Sequence, residues 1–295
     1  MKIKHFFDPD TFTLTYVLSD EKSRDGVIID PVLDYDPATG KVEDRSIRDV
    51  LNYIREEKIN IKAILETHAH ADHLSSSQIL KKLFPDAILG IGERIKSVQE
   101  VFKNYFNMDF LKADASQFDK LFKDFEDVSF GSLKMKAIPT PGHTPACMSY
   151  LFGDVVFTGD ALFMPDYGTG RCDFPKGSAK DLYHSVSKNL YVLPDNTRVF
   201  VGHDYSPNAR EMRFETTIGQ SKAENIQLKA NTAEAEYIEF REARDKTLKA
   251  PRLLLPSIQV NINAGHLPPK EENGKSYLKL PLNLNLSDKK FEESL

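Results

Sequence analysis

The sequence predicts an α/β domain in which two packed sheets form the core and helices cover them. Three observations carry that expectation. Short apolar runs that read as strands are interspersed with helix-period segments through most of the 295 residues. The strands gather in two strand-rich halves, which suits a sheet-on-sheet core. Four of the apolar runs, residues 61–65, 133–138, 154–157 and 198–201, are each followed by metal-ligating side chains, which places those ligands at strand ends.

Taken in order, residues 11–18 alternate Phe12, Leu14, Tyr16 and Leu18 on one face and predict a strand. A second strand, residues 27–29, ends at Asp30-Pro31. Ile47, Val50, Leu51 and Ile54 recur at helical spacing over residues 46–57, with Ser46 as the expected N-cap. The strand at 61–65 leads into a histidine-rich loop, and a helix starts among Ser75, Ser76 and Ser77 and stops before Pro85. Ile95, Val98, Phe102 and Tyr105 mark another helix; short strands return from 110 to 138, with Gly131 in a turn. A glycine-containing loop, 164–177, precedes a helix capped by Ser178 and running to 189. Residues 209–228 and 234–248 are charged and helical in pattern, the latter with a solvated face. Pro251, Pro256, Pro268, Pro269 and Pro281 punctuate an extended tail. The expected organisation is one main domain over 1–210, with 211–295 a helical and extended segment packed on it.

Composition narrows the classes. Apolar residues at 40% and charged residues at 28% fit a globular enzyme with a sizeable core. A net charge of −5 without a basic run argues against nucleic acid as a partner. No apolar stretch is long enough for a membrane span, and residues 1–6 lack a secretory apolar region. Two cysteines, Cys147 in an apolar run and Cys172 in a loop, make no disulfide framework, so a reducing cytoplasm is the expected compartment.

The chemistry is concentrated in four places: Thr67-His68-Ala69-His70-Ala71-Asp72-His73, Pro141-Gly142-His143-Thr144, Thr158-Gly159-Asp160, and Val201-Gly202-His203-Asp204. Five imidazoles and two carboxylates suit Zn, Fe or Mn and not the softer thiolate metals.

This motif set resembles the metallo-β-lactamase superfamily over roughly residues 11 to 210. The resemblance implies an αββα sandwich with a metal site at one edge of the paired sheets. Asp160, where antibiotic-hydrolysing members usually carry cysteine, speaks against β-lactamase activity. Glyoxalase II, a zinc thioesterase, and the persulfide dioxygenases, which are non-haem iron enzymes, share nearly all of these ligands. His70-Ala71-Asp72-His73-Leu74, Phe157 to Phe163, Arg171-Cys172-Asp173-Phe174 and the tail from Pro251 to Asn283 look more like the dioxygenases, including the bacterial β-lactamase-like hydrolase type.

That resemblance implies one Fe(II) per chain on His68, His143 and Asp160, with His70, Asp72, His73 and His203 orienting ligands and oxygen. Tyr205 would place its hydroxyl near the open coordination positions, and Arg171 would bind a carboxylate of the thiol carrier. Cys172 beside it reads as a passive loop cysteine rather than a sulfur exchanger. The implied reaction oxidises glutathione persulfide with O2 to sulfite and glutathione, with a separate rhodanese supplying substrate and a homo-oligomer as the expected state. The alternative is a glyoxalase II-type thioesterase holding one or two Zn on the same letters. A non-catalytic metal-binding scaffold is the third reading.

Overall fold

The computed structural model describes residues 1–282. The chain opens with β1 (Lys2–Asp8), β2 (Thr13–Ser19) and β3 (Asp25–Ile29), then β4 (Val32–Asp36), β5 (Lys41–Glu43) and α1 (Arg45–Glu56). Next come β6 (Asn60–Leu65), β7 (Leu74–Ser75), α2 (Ser77–Leu83), β8 (Ile88–Gly92), α3 (Ile95–Tyr105) and β9 (Lys120–Phe122). The second half contains β10 (Asp127–Phe130), β11 (Leu133–Pro139), β12 (Met148–Phe152), β13 (Val155–Phe157), α4 (Ala179–His184) and β14 (Arg198–Phe200). It closes with β15 (Glu215–Thr217), α5 (Ile218–Glu224), α6 (Glu234–Asp245) and α7 (Leu254–Asn261).

Two six-stranded sheets result, in the orders β1-β2-β3-β6-β8-β9 and β10-β11-β12-β13-β14-β15. In the first, β1 to β3 are antiparallel and β3, β6, β8 and β9 are parallel. In the second only β13 and β14 run parallel. The alternation along β2 explains the layering. Leu14, Tyr16 and Leu18 point between the sheets and pack with Tyr150, Phe157 and Phe200. Val17 points the other way and joins Ile28, Ile64, Ile47, Val50 and Phe102 beneath the helices. Each such fully buried aliphatic side chain contributes about 1.5–3 kcal/mol, so both faces of the sheet are held. The αββα expectation is met.

Local expectations differ in several places, beginning with β1, which the sequence reading did not predict. Ser46 is not the N-cap of α1: its N–H and hydroxyl both donate to Asp34 at 2.8 Å, so a carboxylate from β4 satisfies that end from across the fold. Residues 209–228 are not one helix. Glu215–Thr217 zips onto β14, where Arg198 and Glu215 form a two-bonded ion pair at 2.6 and 2.8 Å, and only Ile218–Glu224 is helical. The tail is not extended throughout, because α7 forms around Pro256, which sits in its first turn where a missing N–H costs nothing. Finally, the solvated face expected on α6 conceals Arg241, which is 1% exposed and donates to Asp245 at 2.5 Å. The end of the tail as read from sequence, Asn283, and residues 284–295 of the C-terminal segment lie outside the described residues.

Candidate metal centre

The loop after β6 is shaped by the end of β3. Asp30 adopts a left-handed backbone (φ +49°) and turns its carboxylate back to accept the Thr67 N–H at 2.7 Å and hydroxyl at 2.8 Å. Thr67 Oγ1 thereby has lone pairs left for the His68 Nδ1–H, 3.0 Å away, and the His68 Nε2 faces inward. Three of the other four imidazoles, all but His70, are set the same way. His143 donates from Nδ1 to the Arg171 carbonyl at 2.7 Å, His73 to the Leu74 carbonyl at 3.0 Å, and His203 to the Phe12 carbonyl at 3.2 Å. Anchoring one ring nitrogen on a backbone oxygen fixes the tautomer and presents the other nitrogen as a ligand.

Glycines make the close approaches possible. Gly142, before His143, has φ +144°, and a Cβ there would lie 2.5 Å from backbone atoms of Leu182 in α4. The Pro-Gly-His turn thus sits against a helix with no room for a side chain.

At the centre stands Asp160. Its Oδ2 lies 3.5 Å from His143 Nε2, and its Oδ1 lies 3.3 Å from His203 Nε2, which is also 3.3 Å from Asp72 Oδ2. Among the described residues, the buried nitrogens His68 Nε2, His73 Nε2 and His203 Nε2 and the buried Asp160 Oδ1 have no hydrogen-bond partner. Unpartnered buried ligand atoms that converge are costly unless something else binds them. The donor set therefore fits a divalent metal of the borderline kind. His68, His143 and Asp160 bring donor atoms within 4.8 Å of one another, and so do His70, Asp72 and His203.

Electrostatics separate the histidines. Burial and then His70 hold His68 well below the ordinary imidazole range, and burial takes His73 down to about 4. Burial opposes charge on His203 too, but Asp160 and Asp72 overcome it and raise the group to about 9. Burial would push the Asp160 carboxyl up, yet His203 and His143 outweigh it and hold the group well below the carboxylate range.

Behind the ligands lies a buried acidic pair that sequence reasoning did not single out. Asp30 Oδ1 and Glu66 Oε2 stand 3.0 and 3.4 Å from His70 Nε2. Glu66 in turn accepts the hydroxyls of Ser75 and Ser77. Burial opposes charge on His70, but Asp30 and Glu66 raise it well above the ordinary range. Glu66 preceded the motif in sequence and Asp30 ended a strand, but nothing local links them.

A cleft of about 390 Å³ opens beside Asp160 and His143. Phe12, Phe163, Tyr167 and Tyr205 line it, with Tyr205 stacked on Tyr167 and His203 at centroid distances of 4.7 and 5.6 Å. Arg171 also lines the cleft, but its guanidinium is engaged by Asp173, so it is not free for a ligand carboxylate; the part of Arg171 that reaches the ligands is its carbonyl. Arg244, Lys249 and Arg252 line the same cleft, and among the described residues no carboxylate lies within ion-pair distance of them. Cys147 and Cys172 are both buried and unpaired, in keeping with passive thiols. His5 stacks on Phe214, and His184 faces Glu234, away from the site.

Comparison with known proteins agrees with this geometry. Residues 9–203 match the profile of the family described as the metallo-beta-lactamase superfamily. A protein named glyoxylase B2 from Dictyostelium discoideum is 48% identical over 284 residues, covering 96% of this chain and 97% of that one. The human protein named persulfide dioxygenase ETHE1, mitochondrial, is 32% identical over 205 residues, 69% of this chain and 68% of that one. Among solved structures, ETHE1 from Myxococcus xanthus superposes with a TM-score of 0.74 at 31% identity, covering 90% of this chain and all of that one. Among the described residues, no helix is long and apolar enough to cross a membrane.

Proposed function

The chain belongs to the metallo-β-lactamase superfamily, and on that premise we propose that it is a non-haem iron persulfide dioxygenase acting on glutathione persulfide. The observation that carries this reading is the trio His68, His143 and Asp160: two imidazoles and one carboxylate gathered beside an open cleft. That donor set is the facial arrangement associated with Fe(II) oxygenases. Iron held by these three residues would supply coordination positions for the terminal sulfur of a persulfide and for O2, while the electrons that reduce O2 come from the sulfur itself. The chain's own residues do the rest. The Arg171 and Thr67 oxygens hold His143 and His68 in register, and Asp160 supplies the anionic ligand. Phe12, Phe163, Tyr167 and Tyr205 limit water around the sulfur, and the cations Arg244, Lys249 and Arg252 that line the cleft favour an anionic thiol carrier. One water completes the balance: both atoms of O2 and the water oxygen end on the outer sulfur as sulfite, the S–S bond breaks, two protons are released and glutathione leaves as the thiol, with a separate rhodanese as the supplier of persulfide.

A second reading rests on a specific observation. His70, Asp72 and His203 form another donor group, and Asp160 faces both His143 and His203, as a bridging carboxylate of a two-metal hydrolase would. With the relative named glyoxylase B2, this favours a zinc thioesterase acting on S-hydroxyacylglutathione. Metal analysis after anaerobic purification, with oxygen uptake on glutathione persulfide and hydrolysis of S-lactoylglutathione, separates the two. Iron near one per chain with persulfide-dependent uptake supports the dioxygenase; two zincs with thioester hydrolysis and no uptake would replace it.

A further inference from the structure

The loop carrying His68, His70, Asp72 and His73 has almost no ladder of its own; only Leu74–Ser75 pairs briefly with β4. Backbone groups buried along with the imidazoles must find partners elsewhere. Three of them find one side chain. Asn261, at the end of α7 and 4% exposed, donates from Nδ2 to the carbonyls of His70 at 2.8 Å and His73 at 2.7 Å. Its Oδ1 accepts the Ser75 N–H at 2.8 Å. A primary amide is the side chain that suits this arrangement. An aspartate would set its oxygens against two carbonyls, and an apolar residue would leave all three groups unpaired.

α7 is itself well anchored, since Ile258, Val260 and Ile262 are buried in the helix-covered core. The turn beyond it lies against the same loop: a Cβ on Gly265 would come 3.1 Å from the Ser75 carbonyl. Ser75 also donates its hydroxyl to Glu66, which faces His70, so the far end of the loop bears on that imidazole's orientation.

We propose that Asn261 is a positioning residue that holds the histidine loop in its metal-ligating shape. Metal retention then depends on a segment outside residues 9–203, the span shared with the superfamily profile. The inference rests on the metal-centre reading, not on which metal or reaction is involved.

The test is Co(II) titration of the chelator-treated full chain, followed by visible d–d absorption, beside urea unfolding of the same samples. Asn261→Leu is expected to weaken Co(II) binding about 10- to 100-fold and to alter the absorption band, as loss of a ligand-orienting group does. Gln259→Ala serves as the control, because it cuts the bonds between α7 and Lys279 at 2.8 and 2.9 Å without touching the loop. It should keep Co(II) affinity within about twofold, as a separate site would, even where urea stability falls. Should the leucine variant fail to fold, Asn261→Asp keeps the size and the acceptor for Ser75, removes both donors, and is judged by the same criterion. Wild-type Co(II) binding in the Asn261 variants, or an equal loss in Gln259→Ala, overturns the inference alone. A wild-type chain that takes up no Co(II) overturns the metal-centre reading and this inference with it.

Discussion

Arg171 closes its guanidinium on Asp173, with Nε donating to Oδ1 and Nη2 to Oδ2, each at 2.5 Å. Its Nη1 donates to the Lys249 carbonyl at 2.7 Å. The fork that suits an incoming carboxylate is already filled from within the chain. A free charge-assisted pair would contribute about 1.5–3 kcal/mol, but a ligand must first displace Asp173. Arg171→Ala should therefore raise the apparent substrate constant by less than about tenfold, or 1.4 kcal/mol. Asp173→Ala, which frees the fork, should lower it. Metal content should stay unchanged in both, because the group that anchors His143 is the Arg171 backbone carbonyl. Steady-state kinetics with metal analysis checks all three.

Asp160 faces His143 with one oxygen and His203 with the other, so its carboxylate borders both donor groups. Asp160→Ala should lose metal and oxygen uptake together. The stability readout is independent of turnover. Added Fe(II) or Co(II) should raise the wild-type unfolding midpoint, since a ligand at 100 times its Kd contributes about 2.7 kcal/mol. The midpoint of the Asp160 variant should not move. Thermal scans with and without chelator measure this, and a wild-type-sized shift in the variant would count against the assigned site.

Burial pushes the Cys147 thiol up to about 12 and Cys172 well above its ordinary value. A thiol stays protonated below its folded pKa, so at pH 8 both cysteines are held as the unreactive thiol. Both cysteines should react with Ellman's reagent only slowly in the folded protein and promptly in guanidinium. Rapid reaction of one thiol in buffer would reopen a sulfur-exchange role for Cys172.

Arg241 donates to the Thr169 carbonyl at 3.2 Å, to Gln227 at 3.0 Å and to Asp245, whose other oxygen accepts the Cys172 N–H at 2.7 Å. Removing the arginine alone strands a buried carboxylate, so Arg241→Met should cost about 3–5 kcal/mol in urea unfolding. The double variant Arg241→Met, Asp245→Leu should recover most of that loss. If the single variant unfolds like the wild type, water reaches the pair and it is not the anchor of α6.

The four ligand clusters were legible because each is local: a few residues at the end of an apolar run fix both spacing and placement. Core strands were legible for the same reason, as the alternation of Leu14, Tyr16 and Leu18 shows. The misses are interactions with no local signature. β1 is an edge strand whose side chains are mostly half-buried or exposed, so its alternation is faint, and its pairing with β2 defines it. β15 was hidden in a charged segment and is made a strand by its partner β14. Asp30 and Asn261 act on the site through separations of 37 and 191 residues, from Thr67 and His70 respectively. Only the folded chain brings those together.

The reach of Asn261 has a consequence for how the protein is made. Contacts this distant in sequence form late, after the loops between them have closed. While the chain emerges from the ribosome, the histidine run is exposed long before α7 exists to clasp it. Also absent then is Gly202, whose carbonyl accepts the Leu14 N–H at 2.9 Å. During that interval its imidazoles are unshaped ligands, open to whichever divalent ion binds most tightly. On the proposed role of Asn261, the ligand geometry that discriminates among divalent ions is complete only once α7 has folded onto the loop.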